Sequence, residues 1–482
     1  MNLSRLWMTR AILLALWTGA AVACAPAQTA GVPVLMLSDL HFDPFRDSAK
    51  VARLDAAPIA EWDEILKEPN SATQAESFAA LQTACKATKG LDSDYGLLSD
   101  SLKAARKQAP GVKFVTISGD LLVHQFDCRY RTVMKTTDDA GYARFAEKTA
   151  SYVMRSVERE FAEAPVYFAL GNNDSACGDY MLDEHDKFLA GTSATLLEGL
   201  RGASAAELKQ AREDYDTGGY FAVTLPAPMQ HAKLLVLDDM YMARKYSDCG
   251  KKADPEGSVE ELAWLQRQLD AARKQGEKVW VMGHIPPGVD VYSTLRDGDV
   301  CQGSAAVMFL SPEATGKLGA LLANYADVVP LAIFGHTHMD EVKLLQKEKG
   351  GGVPVKLVAS ISPVDGNLPS FTVAQVNPAT AVLEDYTVYM ASNKTGVGTA
   401  WTREYGFKET YHQPAFSAAA LEKIIAGFRA DPGGAAPASK AYEEYFDKGL
   451  PLSPLVLAWP QYACAIDHYS PEGFRACMCP TK

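Results

Sequence analysis

Five short apolar runs along the chain each stop at polar residues of the same kind. Val34 to Leu37, Phe114 to Ile117, Val166 to Leu170, Val279 to Met282 and Leu331 to Phe334 have the length and composition of buried strands. The residues that follow them are Asp39-Leu40-His41, Gly119-Asp120, Gly171-Asn172-Asn173-Asp174, Gly283-His284 and Gly335-His336-Thr337-His338. Strands that end repeatedly in Asp, Asn or His predict sheet edges converging on one site. The glycines before Asp120, Asn172, His284 and His336 predict tight turns that aim the next side chain inward.

Between these runs the apolar spacing changes from continuous to helical. Trp62, Ile65 and Leu66, then Leu97, Leu98, Leu102 and Ala105, predict helices within 56–110. Phe188, Leu189, Leu196, Leu197 and Leu200 predict more helix within 179–216, packed on a core or capping a cleft. Leu262, Leu265 and Leu269 form one stripe across a helix from Glu256 to Gln275, suited to shielding a sheet. Motifs spread from Asp39 to His338 must meet at one site, so a single large α/β domain is expected over 31–390. Beyond it, 392–482 is expected to be a helical, cysteine-containing C-terminal subdomain. Its Tyr442, Tyr445, Phe446, Trp459 and Tyr462 are assigned to core packing ahead of a substrate cleft.

The residue types at the strand ends explain each other chemically. A metal held by imidazole and carboxylate ionises water near neutral pH, and two metals clamp both ends of an in-line displacement at phosphorus. An aspartate can bridge two ions. Asn172 would add a neutral oxygen, which limits the negative charge that an anionic substrate has to meet.

This five-part signature resembles the calcineurin-like metallophosphoesterases. Longer strings, among them Ser38-Asp39-Leu40-His41-Phe42-Asp43-Pro44, Gly283-His284-Ile285-Pro286-Pro287-Gly288 and Phe334-Gly335-His336-Thr337-His338-Met339-Asp340-Glu341, resemble their acid sphingomyelinase-like branch. The resemblance implies a four-layer fold, two packed mixed sheets flanked by helices. It implies one metal on Asp39, His41 and His338, a second on Asn172, His284 and His336, and Asp120 bridging them. Zinc is the default ion, with manganese or iron as alternatives. The reaction implied is hydrolysis of P–O bonds by a metal-bridging hydroxide, of the phosphodiesterase type.

Asn173 departs from the family pattern, which usually has His after the ligand Asn. An amide can donate a hydrogen bond to a phosphoryl oxygen but cannot deliver a proton, so His124, which the branch also carries, is the expected general acid. The Gly-Asn-Asn-Asp form is similar to related polyphosphatases, and the loss of one acid candidate favours phosphoanhydrides, activated aryl esters or nucleotides over sphingomyelin. A phosphoanhydride hydrolase and a non-catalytic metal-binding protein are the alternative functions.

Charge and cysteine usage narrow the partners. A formal net charge of -12 and a pI near 5.3, without a basic run, argue against nucleic acid and leave small phosphorylated molecules as the expected substrates. Arg5 and Arg10 before the apolar run Ala11 to Ala23, then Ala25-Pro26-Ala27, read as a secretory signal peptide over 1–27. Export is therefore expected, with no transmembrane segment in the mature chain and lipidation at Cys24 as the lesser alternative. Removal of Cys24 leaves eight of the nine cysteines, an even set that reads as disulfides, with a cysteine zinc site as the rival. Pairing and oligomeric state are not readable from the sequence.

Overall fold

The computed structural model describes residues 31–86, 90–347, 350–450 and 454–479. The expected signal segment 1–27, with Cys24, lies outside the described residues. The strands are β1 (Val32–Leu37), β2 (Phe114–Ser118), β3 (Val166–Ala169), β4 (Phe221–Thr224), β5 (Ala232–Val236), β6 (Lys278–Met282), β7 (Leu331–Phe334), β8 (Glu341–Gln346), β9 (Gly352–Leu357), β10 (Ser370–Val376), β11 (Leu383–Ala391) and β12 (Trp401–Gly406). All five predicted apolar runs are strands: β1, β2, β3, β6 and β7.

They form two six-stranded mixed sheets, ordered β12-β11-β10-β1-β2-β3 and β4-β5-β6-β7-β9-β8. β1, β2 and β3 run parallel, with Leu37 opposite Ile117 and Ser118 opposite Ala169. β6 and β7 are likewise parallel, with Met282 opposite Ile333. Parallel pairing puts the carboxyl ends of neighbouring strands on one edge, which is where ligand sites of such sheets lie.

Side-chain alternation assembles the layers. On the second sheet Leu234, Val236, Trp280, Met282, Leu331 and Ile333 share one core with the strands of the first sheet. Their neighbours in sequence, including Leu235, Val279, Val281, Ala332 and Phe334, form another core with Trp264, Leu265, Leu318 and Leu322. The period of two in a strand sends alternate residues to opposite faces, so continuous apolar runs are needed where both faces are covered. The predicted helix is found at Glu256–Gln275, with Trp264, Leu265 and Leu269 buried and Leu262 at the margin of the stripe. Helices Lys187–Gly199 and Ala205–Gly218 occupy the second predicted insertion; the first of them packs on β3 and on helix Asp139–Glu160. Core packing, and not a cap, is the use these contacts record.

The C-terminal boundary differs from the expectation. β12 pairs antiparallel with β11 at the edge of the first sheet, so sheet structure continues past residue 390 and helices resume only at Phe407. Arg403 and Glu404 within β12 break the apolar run that marks the five predicted strands. The described residues form one compact unit, and Phe428, Tyr442, Phe446 and Trp459 join the same core as β1.

All eight cysteines of the expected mature chain are paired: Cys85 with Cys128, Cys177 with Cys249, Cys301 with Cys479 and Cys464 with Cys477. This removes the cysteine zinc site. Among the described residues no helix is long and apolar enough to cross a membrane.

Candidate metal centre

Where the strands end, the backbone adopts a conformation that side chains other than glycine rarely accept. Asp39, His41, Asp120, His336 and His338 have φ values of 49°, 40°, 55°, 71° and 64°. The left-handed region is costly for residues with a Cβ and persists where surroundings impose it. Here Asp39 N–H donates to Gly119 O at 3.0 Å and His41 N–H to Asp120 O at 2.9 Å, locking the ends of β1 and β2 together. The turning residues are thus among the expected ligands. Of the four glycines expected to make tight turns, only Gly119 has a positive φ, 90°. Gly171, Gly283 and Gly335 are required for room: a Cβ on them would strike the Asp120 carboxylate, the Asp239 carboxylate and the Ser38 hydroxyl.

The seven expected ligand residues converge. His41 Nε2 lies 3.3 Å from Asp120 Oδ2, and His338 Nε2 lies 3.3 Å from Asp39 Oδ1. The same His338 nitrogen is 3.1 Å from His41 Nε2. On the other side of Asp120, His284 Nε2 lies 3.2 Å from Oδ2 and 3.2 Å from Asn172 Oδ1, and His336 Nδ1 lies 3.3 Å from that His284 nitrogen. Asp120 Oδ2 therefore sits between an Asp39/His41/His338 group and an Asn172/His284/His336 group.

Outer hydrogen bonds fix which atom faces inward. His41 Nδ1 donates to Leu122 O at 2.8 Å and His284 Nδ1 to Ser118 O at 2.7 Å. Carbonyl oxygens only accept, so both rings keep their Nδ1 proton outside and turn Nε2 toward the cluster. Asn172 Nδ2 donates to Asp179 Oδ1 at 2.7 Å, which leaves its carbonyl oxygen toward His284.

The electrostatics demand positive charge at the centre. Burial opposes protonation of His41 and His284, yet the adjacent Asp120 carboxylate, joined by Asp39, pushes both up to about 10. Burial and His284 push His336 down to about 3. Asp39, His41 and Asp120 are all buried and offer ligand atoms within 4.8 Å of one another. Oxygen and imidazole donors held this closely, without thiolate, fit divalent cations that displace protons from the rings.

His124 stands at the margin of the cluster. Its ring stacks on His41 with centroids 4.0 Å apart, and its Nδ1 donates to Asp92 Oδ1 at 3.1 Å. The side chain is 36% exposed, whereas that of Asp92 is 1% exposed. Burial acts against the Asp92 charge, but His124 beside it more than offsets this and holds the carboxyl well below its ordinary range. Asn173 lies against Asp120. Its backbone N–H donates to Asp120 Oδ1 and its side-chain amide to Asp120 Oδ2, both at 2.9 Å. Its described contacts are with the central carboxylate.

Several supporting residues escaped the sequence reading. Asp174 accepts from the N–H groups of Leu121, Leu122 and Gly171 at 2.8 to 2.9 Å, tying the loops after β2 and β3. Asp239 accepts from His284 N–H and Ile285 N–H at 2.9 Å each. Asp239 had a readable signal, because β5 is followed by Leu237 and then Asp238-Asp239, another apolar run that ends in acids. Asp92 and Asp179 follow no such run.

A family model for calcineurin-like phosphoesterases matches residues 32–340. The chain is similar to acid sphingomyelinase-like phosphodiesterase 3b of Mus musculus, 22% identical over 410 residues, which make up 82% of this chain and 79% of that one. It is also similar to an endopolyphosphatase of Yarrowia lipolytica, 26% identical over 253 residues, 49% of this chain and 30% of that protein. Among solved structures, a dimetal phosphatase from Danio rerio aligns with a TM-score of 0.42 and 11% identity over 78% of this chain and 100% of that chain. With the family model spanning more than half of its length, the chain belongs to the calcineurin-like phosphoesterase family and is a metal-dependent phosphoric ester hydrolase.

Proposed function

We propose that this protein is an exported phosphodiesterase that uses two divalent cations, zinc by default, to hydrolyse P–O bonds of small phosphorylated organic molecules. Asp39, His41 and His338 would hold one cation, Asn172, His284 and His336 the other, and Asp120 would bridge. The observation that carries this reading is the gathering of six buried or half-buried donor residues around Asp120, with His41 and His284 against its Oδ2. When bound, two such cations supply charge to the phosphoryl oxygens and an ionised water near neutral pH. The four disulfides support export.

The chain's own groups divide the remaining work. Asp92 holds the His124 ring through Nδ1, which leaves Nε2 to deliver a proton to the departing oxygen as the P–O bond breaks. The contact fixes the ring against a carboxylate that is itself buried, so its orientation is set before substrate arrives. Asn173 and the Asp174 backbone bonds keep Asp120 and its loop from relaxing away from the imidazoles.

A phosphoanhydride hydrolase is the second reading, favoured by the Gly-Asn-Asn-Asp form and by the similarity to an endopolyphosphatase. The His124–Asp92 pair favours the ester reading, because an anhydride needs little acid assistance. Steady-state turnover of bis-p-nitrophenyl phosphate, ATP and short polyphosphate by metal-reconstituted protein decides between them. Metal-dependent diester turnover, abolished in Asp120→Asn, is expected; preference for polyphosphate would transfer the assignment to the second reading.

A further inference from the structure

Beside the cluster lies a cavity of about 650 Å³, with Thr337 and Phe309 at its near end and Phe446, Tyr462 and Ile466 of the C-terminal helices among its walls. Phe309 packs edge-on against the His336 ring at 5.6 Å, so the cavity starts one ring's width from the expected ligands. Its volume lies in the range of pockets that enclose organic ligands, and far exceeds the needs of a single phosphate.

Lys343 is the one cation among the described lining residues, and its side chain is only 4% exposed. Its ammonium lies 5.9 Å from the Phe309 ring centroid and 3.7 Å from Glu341 Oε2, and makes no hydrogen bond among the described residues. An ammonium has three donors, and Glu341 at 3.7 Å meets its charge without a hydrogen bond, so an acceptor placed in the cavity would gain one. Asp290, Glu341 and Asp365 also line it, outnumbering Lys343. A phosphate chain would meet repulsion from the carboxylates and gain nothing from apolar walls. A plain alkyl chain would offer the Lys343 ammonium no acceptor beyond Glu341. A ring system with a hydrogen-bond acceptor suits both the aromatic walls and the ammonium.

We propose that this cavity takes the organic group of the substrate, an uncharged ring carrying a hydrogen-bond acceptor that Lys343 meets, and that it turns away phosphate chains. The inference rests on the phosphoesterase reading above and specifies its substrate class.

The test uses the metal-loaded protein with three diesters that all release p-nitrophenolate: methyl, phenyl and 4-acetylphenyl p-nitrophenyl phosphate. Burial of a ring predicts kcat/KM for the phenyl ester about tenfold or more above the methyl ester, with the acetylphenyl ester higher again. Lys343→Met brings the acetylphenyl-to-phenyl ratio toward one, and Leu457→Trp, at an exposed lining position, lowers the phenyl-to-methyl ratio. Turnover of the methyl ester with no preference for rings overturns the inference and leaves the phosphoesterase reading standing. Tripolyphosphate hydrolysed as readily as the phenyl ester also overturns it. Absence of metal-dependent turnover of every ester overturns both.

Discussion

Asn173 grips Asp120 at both carboxylate oxygens, with its backbone N–H on Oδ1 and its side-chain amide on Oδ2, each at 2.9 Å. The residue that departs from the family pattern is thereby tied to the carboxylate on which both halves of the cluster converge. Replacing it with Ala leaves the backbone bond and removes the amide. Residues that orient metal ligands typically change metal affinity by 10–100-fold, so Asn173→Ala is expected to weaken zinc binding by roughly tenfold or more in a calorimetric titration. Unchanged zinc affinity with a loss confined to turnover would instead place Asn173 against the substrate.

The His124–Asp92 pair predicts a dependence on the leaving group. His124→Asn should slow diesters with alkyl leaving groups by about 10²–10⁴-fold and p-nitrophenyl esters far less, because a stable leaving anion needs no proton. Asp92→Asn should act in the same direction. Equal losses across a leaving-group series would show that the pair positions some other element.

Metal removal has a thermodynamic signature. Cations that bind the folded cluster and not the unfolded chain stabilise by mass action, about 2.7 kcal/mol at a hundredfold excess over Kd. Chelation is expected to lower Tm by several degrees, and zinc should restore it. An Asp120→Asn variant with the same zinc-dependent rise would contradict the assignment.

A pH effect separate from the site arises at Glu158. Burial pushes this carboxyl up to about 7, and its Oε1 has no hydrogen-bond partner among the described residues. Between the ordinary carboxyl range and 7 the folded chain binds a proton that the unfolded chain has released, so stability falls as pH rises through this window and levels off above it. Glu158→Gln should therefore leave Tm near wild type at pH 4.5 and raise it at pH 8.5, by about 1–2 kcal/mol of stability. A gain independent of pH would rule out ionisation as the cause.

The strand ends were legible in the sequence because each joins an apolar run to a ligand type, as in Leu331–Phe334 before His336. The supporting residues were harder to read. Asp92 and Asp179 lie in loops, and their meaning comes from hydrogen bonds to His124 and Asn172 that cross 32 and 7 residues of sequence. β12 was missed because Thr402, Arg403 and Glu404 leave it without the apolar run that marks β1, β2, β3, β6 and β7. Lys343 was overlooked for a related reason: a charged residue in β8 reads as solvent-facing until the C-terminal helices are placed over it.

The central claim is that seven side chains hold two cations with Asp120 between them. Anomalous scattering at the zinc edge from crystals of the zinc-loaded protein tests it directly. Two peaks about 3.5–4 Å apart, one beside Asp39, His41 and His338 and the other beside Asn172, His284 and His336, are the result expected. A single peak, or peaks away from Asp120, would contradict it.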